Sequence, residues 1–344
     1  MYARIASSRA FTLVELLVVI AVLGLISGVL VPSLSSARSS ARTAACAAQQ
    51  RRLHLPTYIA MQADDDRLPG VNTTNVHYLK LPRTSELLGD TSPSKPTTIF
   101  DWISPSLGPV TRLSSNRARR TQQIFNDFAC PSATRRNDTL YGYAPDASDF
   151  QTILATDGFP QISYLSPAAF HLAGKSFVPL AKYRTYNWSG PAVPPADYFP
   201  RLERIGPPAQ KVFLSDATRY LASTSRLDFD ISPSPKYFGS FLSSSPIYRA
   251  SREFGVATNL PEFADENYLG LGPTVYPHNR NLTYRHTRRI VVTWFDGHAS
   301  TMTEYQSKSD ASHWFPTGSV FNAHTTGNAT DESRAYHRHD EELR

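Results

Sequence analysis

Cysteine is scarce in this sequence, which has only two, Cys46 and Cys130, among 344 residues. Two cysteines permit one intramolecular bridge. If the segment that holds them is exported, an oxidising compartment would allow them to pair; the alternative is two separate buried thiols. The sequence also contains no serine-nucleophile motif, no phosphate-binding loop and no zinc-binding helix motif. We therefore predict neither an enzyme nor a bound metal or cofactor.

Charge is sparse as well: charged residues make up 19% of the chain, and the formal net charge is +6. A moderate positive charge allows loose affinity for nucleic acid or anionic envelope polymers without establishing it. The densest basic cluster, residues 114–120, has few aromatic residues beside it. Nucleic-acid grooves usually interleave stacking rings with their charges. We therefore interpret this cluster as a solvated basic loop and predict no nucleic-acid partner.

A long apolar run covers residues 11–31 and ends at Pro32, after a short leader that contains Arg4 and Arg9 but no acid. At about 1.5 Å per helical residue, the run is about as long as the hydrocarbon core of a bilayer is thick. Glu15 lies near one end of it, where an unpaired charge costs several kcal/mol in hydrocarbon. A plain membrane anchor gives no reason for that acid, although its carboxylate could snorkel to the interface.

The small residue Ala10 precedes the apolar run, so a cut there would leave the run on the mature protein, unlike a secretory signal. The string RAFTLVELL, residues 9–17, resembles the N-terminal cleavage and methylation signal of type IV prepilins and type II secretion pseudopilins. That family usually has Gly where this chain has Ala10. The resemblance implies that prepilin peptidase cuts just before Phe11 on the cytoplasmic side and methylates the new amino terminus.

The resemblance also implies a role for Glu15 in assembly. When the apolar helices bundle, its carboxylate can pair with the amino terminus of a neighbouring Phe11, which offsets the cost of burying both charges. The implied partners are prepilin peptidase, other pilin or pseudopilin subunits in a homo- or heteropolymer, and the bacterial inner membrane. The implied N terminus is cytoplasmic and the C-terminal head periplasmic, or part of a filament after assembly. The main alternative is a membrane-tethered binding or enzymatic domain that uses the signal for delivery. A third, weaker alternative is a DNA-binding minor pilin, which would require the arginines to gather on one exposed face.

The apolar run continues into an alanine-rich segment, in which Leu34 and several alanines recur at spacings of three and four. This pattern predicts one helix from about Thr12 to about Ala63, kinked at Pro32 and Pro56. Beyond it, Gly, Pro, Tyr and Ser among short apolar runs favour a loop-rich β domain. The predicted fold is α+β and pilin-like, with a leader (1–10), a transmembrane assembly helix (11–32), a continuation packed on the head (33–63), a β-rich exported head (64–317) and a polar, disordered tail (318–344).

Several patterns subdivide the head. Residues 64–66 are three aspartates, which we interpret as a solvated helix end rather than a cation site, because they lack the alternating spacing of a calcium loop. Residues 125–130 predict a short apolar strand that Pro131 ends. Residues 183–188 and 211–216 predict two further strands, and residues 228–268 a long surface excursion.

A further element covers residues 284–299. Residues 290–295 predict a buried strand, Asp296 and Gly297 a hairpin turn, and residues 298–303 the returning strand. The spacing His286-x9-Asp296-Gly297 resembles a C-terminal signature of pilin-like proteins abundant in planctomycete-type bacteria. His278, His286, Asp296 and His298 are of metal-ligand type. We interpret them as structural, since a buried histidine bonded to an aspartate stabilises a turn without any chemistry.

Overall fold

The computed structural model describes residues 12–70, 92–94, 96–97, 101–134, 136–137, 139–141, 148–180, 185, 190–218, 220–221, 226–230, 241–249, 251, 254, 283–322 and 329–344. The chain divides into two compact units, residues 1–42 and 43–344. A long apolar helix near the N terminus is followed by a sheet-containing region, which confirms the predicted α+β, pilin-like class.

Helices occur in both units. In the described part of the chain the α-helices are α1 (Leu13–Ala63), α2 (Ile103–Leu107), α3 (Arg117–Asp127), α4 (Ser148–Thr156), α5 (Ala168–His171), α6 (Leu202–Ile205), α7 (Glu304–Ser309) and α8 (Asp331–Tyr336). Short 3-10 helices cover Lys175–Leu180, Pro208–Gln210 and Ala311–His313.

The strands that the structure describes all lie in the second unit. They are β1 (Arg136–Asn137), β2 (Thr139–Tyr141), β3 (Phe159–Pro160), β4 (Tyr164–Pro167), β5 (Ala192–Val193), β6 (Val212–Asp216), β7 (Tyr220–Leu221), β8 (Arg226–Asp230), β9 (Leu242–Ser243), β10 (Arg289–Trp294), β11 (Ala299–Thr303) and β12 (Val320–Phe321). The main sheet has five strands in the order β11-β10-β6-β4-β9, and only the β4–β9 pair is parallel. The remaining strands form the small sheets β1-β3, β12-β5 and β2-β8-β7.

Helix α1 agrees with the predicted helix to within a residue at its start and ends at the predicted residue. In the first unit every large apolar side chain from Leu13 to Val31 is between 45% and 78% exposed. The helix is long and apolar enough to cross a membrane, by length and composition, and its most apolar 18-residue window has a mean hydropathy of 2.8. Pro32 lies within α1, where it provides no backbone N–H.

In the second unit α1 buries one face against the sheet domain. The buried side chains recur at spacings of three and four, as one face of a helix requires; they are Cys46, Gln50, Leu53, His54, Thr57 and Met61. The alanines that recur at spacings of three and four do not mark the buried face here, because Ala44 and Ala48 are exposed. Larger side chains remove more surface from water than alanine does, and they determine which face is buried.

The core is centred on β6, whose five residues are all buried. The Phe213 ring packs edge-on against Trp102 at 5.3 Å, Phe295 at 5.3 Å and His54 at 5.4 Å between ring centroids. Beside this cluster, His171 of α5 is buried, and its Nδ1 donates to the carbonyl of Pro69 at 2.9 Å. Burial lowers the pKa of His171 to about 4, since the charged imidazolium is poorly solvated there.

The hairpin of β10 and β11 confirms the prediction for residues 290–303. The two strands pair antiparallel from Arg289↔Thr303 to Thr293↔Ala299. The turn is closed by a hydrogen bond of 2.9 Å from Trp294 N–H to the His298 carbonyl. The strand predicted at residues 211–216 is likewise confirmed as β6.

Two predictions before residue 131 are wrong. Residues 117–127 form helix α3, so the basic cluster is not a solvated loop and Phe125 is not on a strand. Asn116 caps the helix by accepting from Arg119 N–H at 2.9 Å, an N-cap that the sequence interpretation missed. The guanidinium of Arg117 is buried and pairs with Asp149 at 3.1 Å, while Arg120 donates to backbone carbonyls.

The prediction of a disordered tail is wrong for residues 318–322 and 329–344. Strand β12 pairs with β5, and α8 begins at its N-cap Thr330. Although the tail is polar on average, Phe321 and Leu343 are buried. The buried amine of Lys211 also donates to the carbonyl of Arg344 at 2.6 Å. A few apolar anchors and satisfied backbone groups are sufficient to order this segment.

The predicted surface excursion at residues 228–268 is wrong where the structure describes it. Phe241 and Ile247 are buried, and β9 extends the main sheet beside β4. The indole N–H of Trp102 donates to the Phe241 carbonyl at 3.0 Å, which ties this segment into the core. The strand predicted at residues 183–188 lies outside the described residues, except for Thr185 in an isolated bridge with Ala173.

Candidate functional site

The first candidate site is the start of α1. Ala10 and Phe11 lie outside the described residues. Thr12 and Glu15 form a capping box: the Thr12 N–H and hydroxyl donate to Glu15 Oε2 at 2.9 and 2.8 Å, and Glu15 N–H donates to Thr12 Oγ1 at 3.2 Å. The Glu15 side chain is exposed within this chain, so its carboxylate can also accept bonds from outside the chain.

The apolar surface that follows Glu15 is a candidate contact surface. From Leu13 to Val31 the helix rises about 28 Å, close to the thickness of a hydrocarbon core. Among the described residues of the first unit, each of its large apolar side chains remains at least 45% exposed. A continuous apolar surface of this kind can be covered only by lipid or by other helices.

The second candidate site is a buried polar cluster around Asp216, the last residue of β6. The side chain of Asp216 is fully buried, and its carboxylate pairs with Arg285 at 3.0 Å and with His286 Nε2 at 3.2 Å. It also accepts from Val291 N–H at 2.7 Å. Opposite charge and three hydrogen bonds offset the cost of burying this carboxylate.

Helix α1 enters this cluster through Gln50. The amide nitrogen of Gln50 donates to Asp216 Oδ1 at 3.3 Å and to the Val291 carbonyl at 3.0 Å. Its amide oxygen accepts from the hydroxyl of Thr293 at 3.0 Å. One fully buried amide therefore uses both of its ends to join the helix to strands β6 and β10.

The disulfide is the second link between α1 and the sheet domain. The structure joins Cys46 of α1 to Cys130, with a Cα–Cα distance of 4.8 Å and a separation of 84 positions along the chain. His286 lies against this bond, with Nε2 at 3.5 Å from Cys130 Sγ. Its other nitrogen, Nδ1, lies 3.1 Å from the Thr43 hydroxyl of α1. Covalent and polar contacts therefore meet at the same face of the helix.

The Asp-Gly turn contacts α1 at a third point. A Cβ at position 297 would lie 3.0 Å from the His54 ring, and Gly297 has a φ of +89°, so the position favours glycine on both grounds. His54 Nε2 donates to the Phe295 carbonyl at 3.0 Å. Burial lowers the pKa of His54, although the Phe295 carbonyl and nearby Asp296 favour its charged form.

The structure separates the residues that the sequence grouped together. His286 bonds Asp216, whereas Asp296 is partly exposed and bonds His298 Nδ1 at 2.6 Å. His286 is thus buried and bonded to an aspartate, but this aspartate is Asp216 at the end of β6 and not Asp296 of the turn. His278 lies outside the described residues. Sequence reasoning missed Gln50 and Arg285. The one available signal for the cluster was Asp216, an acid at the end of the strand predicted at residues 211–216.

This arrangement suits a structural joint better than a reaction centre. Asp216, His286 and the Arg285 guanidinium are closed off from solvent. The structure also contains an open cleft of about 420 Å³. Its lining comprises Thr287, Arg288, Arg289, Thr303, Glu304, Tyr305 and Glu332. That lining contains neither a histidine nor a cysteine, and its charged side chains are two arginines and two glutamates.

The comparisons with known proteins bear on the first candidate site. Residues 5–31 match the family of the prokaryotic N-terminal methylation motif. No curated protein and no solved structure matches the chain. The motif together with the apolar helix fits a single-pass protein anchored in a membrane. The chain thus has a prepilin-type N-terminal signal, and this supports a type IV pilin-like protein.

Proposed function

We propose that this chain is a structural pilin-like subunit that prepilin peptidase cleaves between Ala10 and Phe11 and then N-methylates. The mature subunit polymerises through α1 in a type II secretion or type IV pilus-like assembly. The observation that carries the proposal is the methylation motif at residues 5–31, which leads into a helix whose apolar side chains stay exposed.

The exposed helix supports polymerisation as well as anchoring. In a membrane, lipid would cover the side chains from Leu13 to Val31; in a filament, the helices of neighbouring subunits would cover them. Glu15 distinguishes these two uses. A lone carboxylate is a cost in lipid, but beside the amino terminus of a neighbouring Phe11 it becomes one half of an ion pair.

The proposed orientation places the N terminus in the cytoplasm and residues 43–344 outside it. The leader contains Arg4 and Arg9 and no acid, and basic residues stay on the cytoplasmic side of a membrane. The Cys46–Cys130 disulfide is in keeping with export, since such bonds persist in oxidising compartments.

The alternative, a tethered enzyme or binding domain, would be favoured by a deep pocket lined by histidines and acids with shifted pKa values. His54 and His171 are the histidines whose pKa values burial lowers, and both pack in the core. Neither lines the open cleft at Arg288 and Tyr305. The open cleft therefore gives no support to the alternative.

Mass spectrometry of the mature protein tests the processing step. We expect an N terminus at Phe11 that carries one methyl group. Because the family usually has Gly at the position of Ala10, an Ala10→Gly variant should be processed at least as fast, and an Ala10→Arg variant should stay uncut. Intact Met1 in the membrane-inserted wild type, or a start beyond Pro32, would contradict the proposal.

A further inference from the structure

Three metal-ligating side chains meet at the disulfide. The Sγ atoms of Cys46 and Cys130 and a ring nitrogen of His286 all lie within 4.8 Å of one another, and all three residues are buried. With the disulfide closed, neither sulfur can bind a metal ion, since the ligand is the thiolate. The newly made chain contains the two cysteines as thiols, before any oxidant has removed their two electrons and two protons.

The dithiol form has the donors of a zinc site. Two thiolates and one imidazole are a common ligand set for Zn²⁺, which favours tetrahedral sites. Thiolates at about 2.3 Å from one Zn²⁺ lie about 3.8 Å apart, which is nearly twice the length of a disulfide bond, so the two sulfurs must move apart once the bond is reduced. When Zn²⁺ replaces the two thiol protons, the pocket gains no net charge.

Neighbouring side chains can supply the fourth ligand and orient the imidazole. The Asp216 carboxylate lies 3.2 Å from His286 Nε2, close enough to supply a fourth donor after a small shift. Arg285, at 3.0 Å from the same carboxylate, balances its charge. The Thr43 hydroxyl at 3.1 Å can accept from Nδ1–H, which would hold the imidazole with Nε2 free for the metal.

We propose that the reduced form of this protein binds one Zn²⁺ through Cys46, Cys130 and His286, with Asp216 as the fourth donor. Binding releases the two thiol protons and forms two Zn–S bonds, one Zn–N bond and one Zn–O bond. Thiol–disulfide exchange with a second, oxidising disulfide then closes the Cys46–Cys130 bond and expels the ion, while the second disulfide takes up the two electrons and two protons from water and leaves as two thiols. The same residues therefore hold α1 on the sheet domain in two ways, by metal before oxidation and by a covalent bond after it. Metal binding itself does not depend on the proposed filament function.

Cobalt titration tests the site on the full chain in detergent micelles. A phosphine reduces the disulfide under anaerobic conditions, taking up the oxygen of one water molecule as the two thiols form. We expect one Co²⁺ per chain, with the thiolate-to-cobalt absorption and visible bands of a tetrahedral site, and displacement by Zn²⁺. The oxidised protein, as matched control, should give no such spectrum.

Variants identify the ligands. Cys46→Ser and Cys130→Ser should each abolish the thiolate spectrum of the wild type, and His286→Gln should weaken binding at least about tenfold. His298→Gln, an exposed histidine of the hairpin, should bind as the wild type does. If reduction loosens the fold, Zn²⁺ should raise the thermal midpoint of the reduced wild type but not that of His286→Gln. The absence of both stoichiometric binding and a thermal shift, or equal binding by His286→Gln, would overturn the proposal.

Discussion

Replacement of Asp216 by asparagine tests whether the buried cluster holds α1 to the sheet domain. The carboxylate is fully buried, accepts from Val291 N–H at 2.7 Å and faces Arg285 at 3.0 Å. Asparagine keeps the size of the side chain but removes its charge. The Arg285 guanidinium, whose side chain is 3% exposed, would then lose its carboxylate partner in a site closed to water.

The expected loss of unfolding free energy is large. Removal of one partner of a buried ion pair costs about 3–5 kcal/mol, because the remaining charge is desolvated without compensation. The free energy of unfolding of a typical domain is only about 5–15 kcal/mol. Asp216→Asn should therefore lower the urea midpoint by about 1 M or more.

Urea unfolding of the full chain in micelles, followed by tryptophan fluorescence, measures this cost. Trp102 and Trp294 lie in the core and on β10 and should report the transition. Asp197→Asn is the matched control, since this exposed carboxylate pairs with Arg204 at the surface, and its midpoint should not change. A double variant with Arg285→Met should recover part of the loss. A midpoint for Asp216→Asn equal to that of the control would refute the reasoning.

Two further predictions concern redox state and pH. Non-reducing peptide mapping of membrane-inserted protein should find Cys46 joined to Cys130. Because the two lie 84 positions apart, breaking the bond should cost about 4–5 kcal/mol of unfolding free energy, and two free thiols would contradict the prediction. His171 has a pKa of about 4 in the folded chain and about 6.5 when unfolded, so the unfolded state binds more protons between these values. Stability should fall by about 3 kcal/mol as the pH drops from 6.5 to 4, and His171→Gln should flatten that slope; an unchanged slope would contradict this cause.

The long helix and the C-terminal hairpin could be predicted because their signals are local. An uninterrupted apolar run predicts the first part of α1. An Asp-Gly pair between two runs of strand-forming residues predicts the β10–β11 turn. Both depend on neighbours within a few residues. The α+β class follows from the same two signals.

The buried cluster could not be predicted because its members come from distant parts of the chain. Gln50 contacts Asp216 across 166 residues of sequence. Nothing in the local pattern distinguishes a glutamine on the buried face of a helix from one on the exposed face. The spacing of His286 and Asp296 instead suggested a pair that the fold does not form.

Helix α3 was missed for a different reason. Its arginines look solvated in sequence, yet Arg117 is buried by its pairing with Asp149, and its guanidinium lies 5.1 Å from the centre of the Phe150 ring. A charged residue is buried when tertiary partners are available, and those partners are invisible to a local pattern. The ordered tail has the same explanation, since its anchor Phe321 lies on a strand that pairs with β5, a distant part of the chain.

The Glu15→Ala variant tests the central claim, assembly through α1, most directly. The measurement compares the yield of sheared or cross-linked filaments with the abundance of the subunit in the membrane fraction, for wild type, Glu15→Ala and the exposed control Glu203→Ala. Membrane insertion should survive, because a more apolar helix partitions at least as well. Assembly should fall by a factor on the order of a hundred or more, since a neighbour's amino terminus loses its counter-charge in an apolar bundle. Normal assembly of Glu15→Ala would contradict the account and leave α1 as a simple membrane anchor.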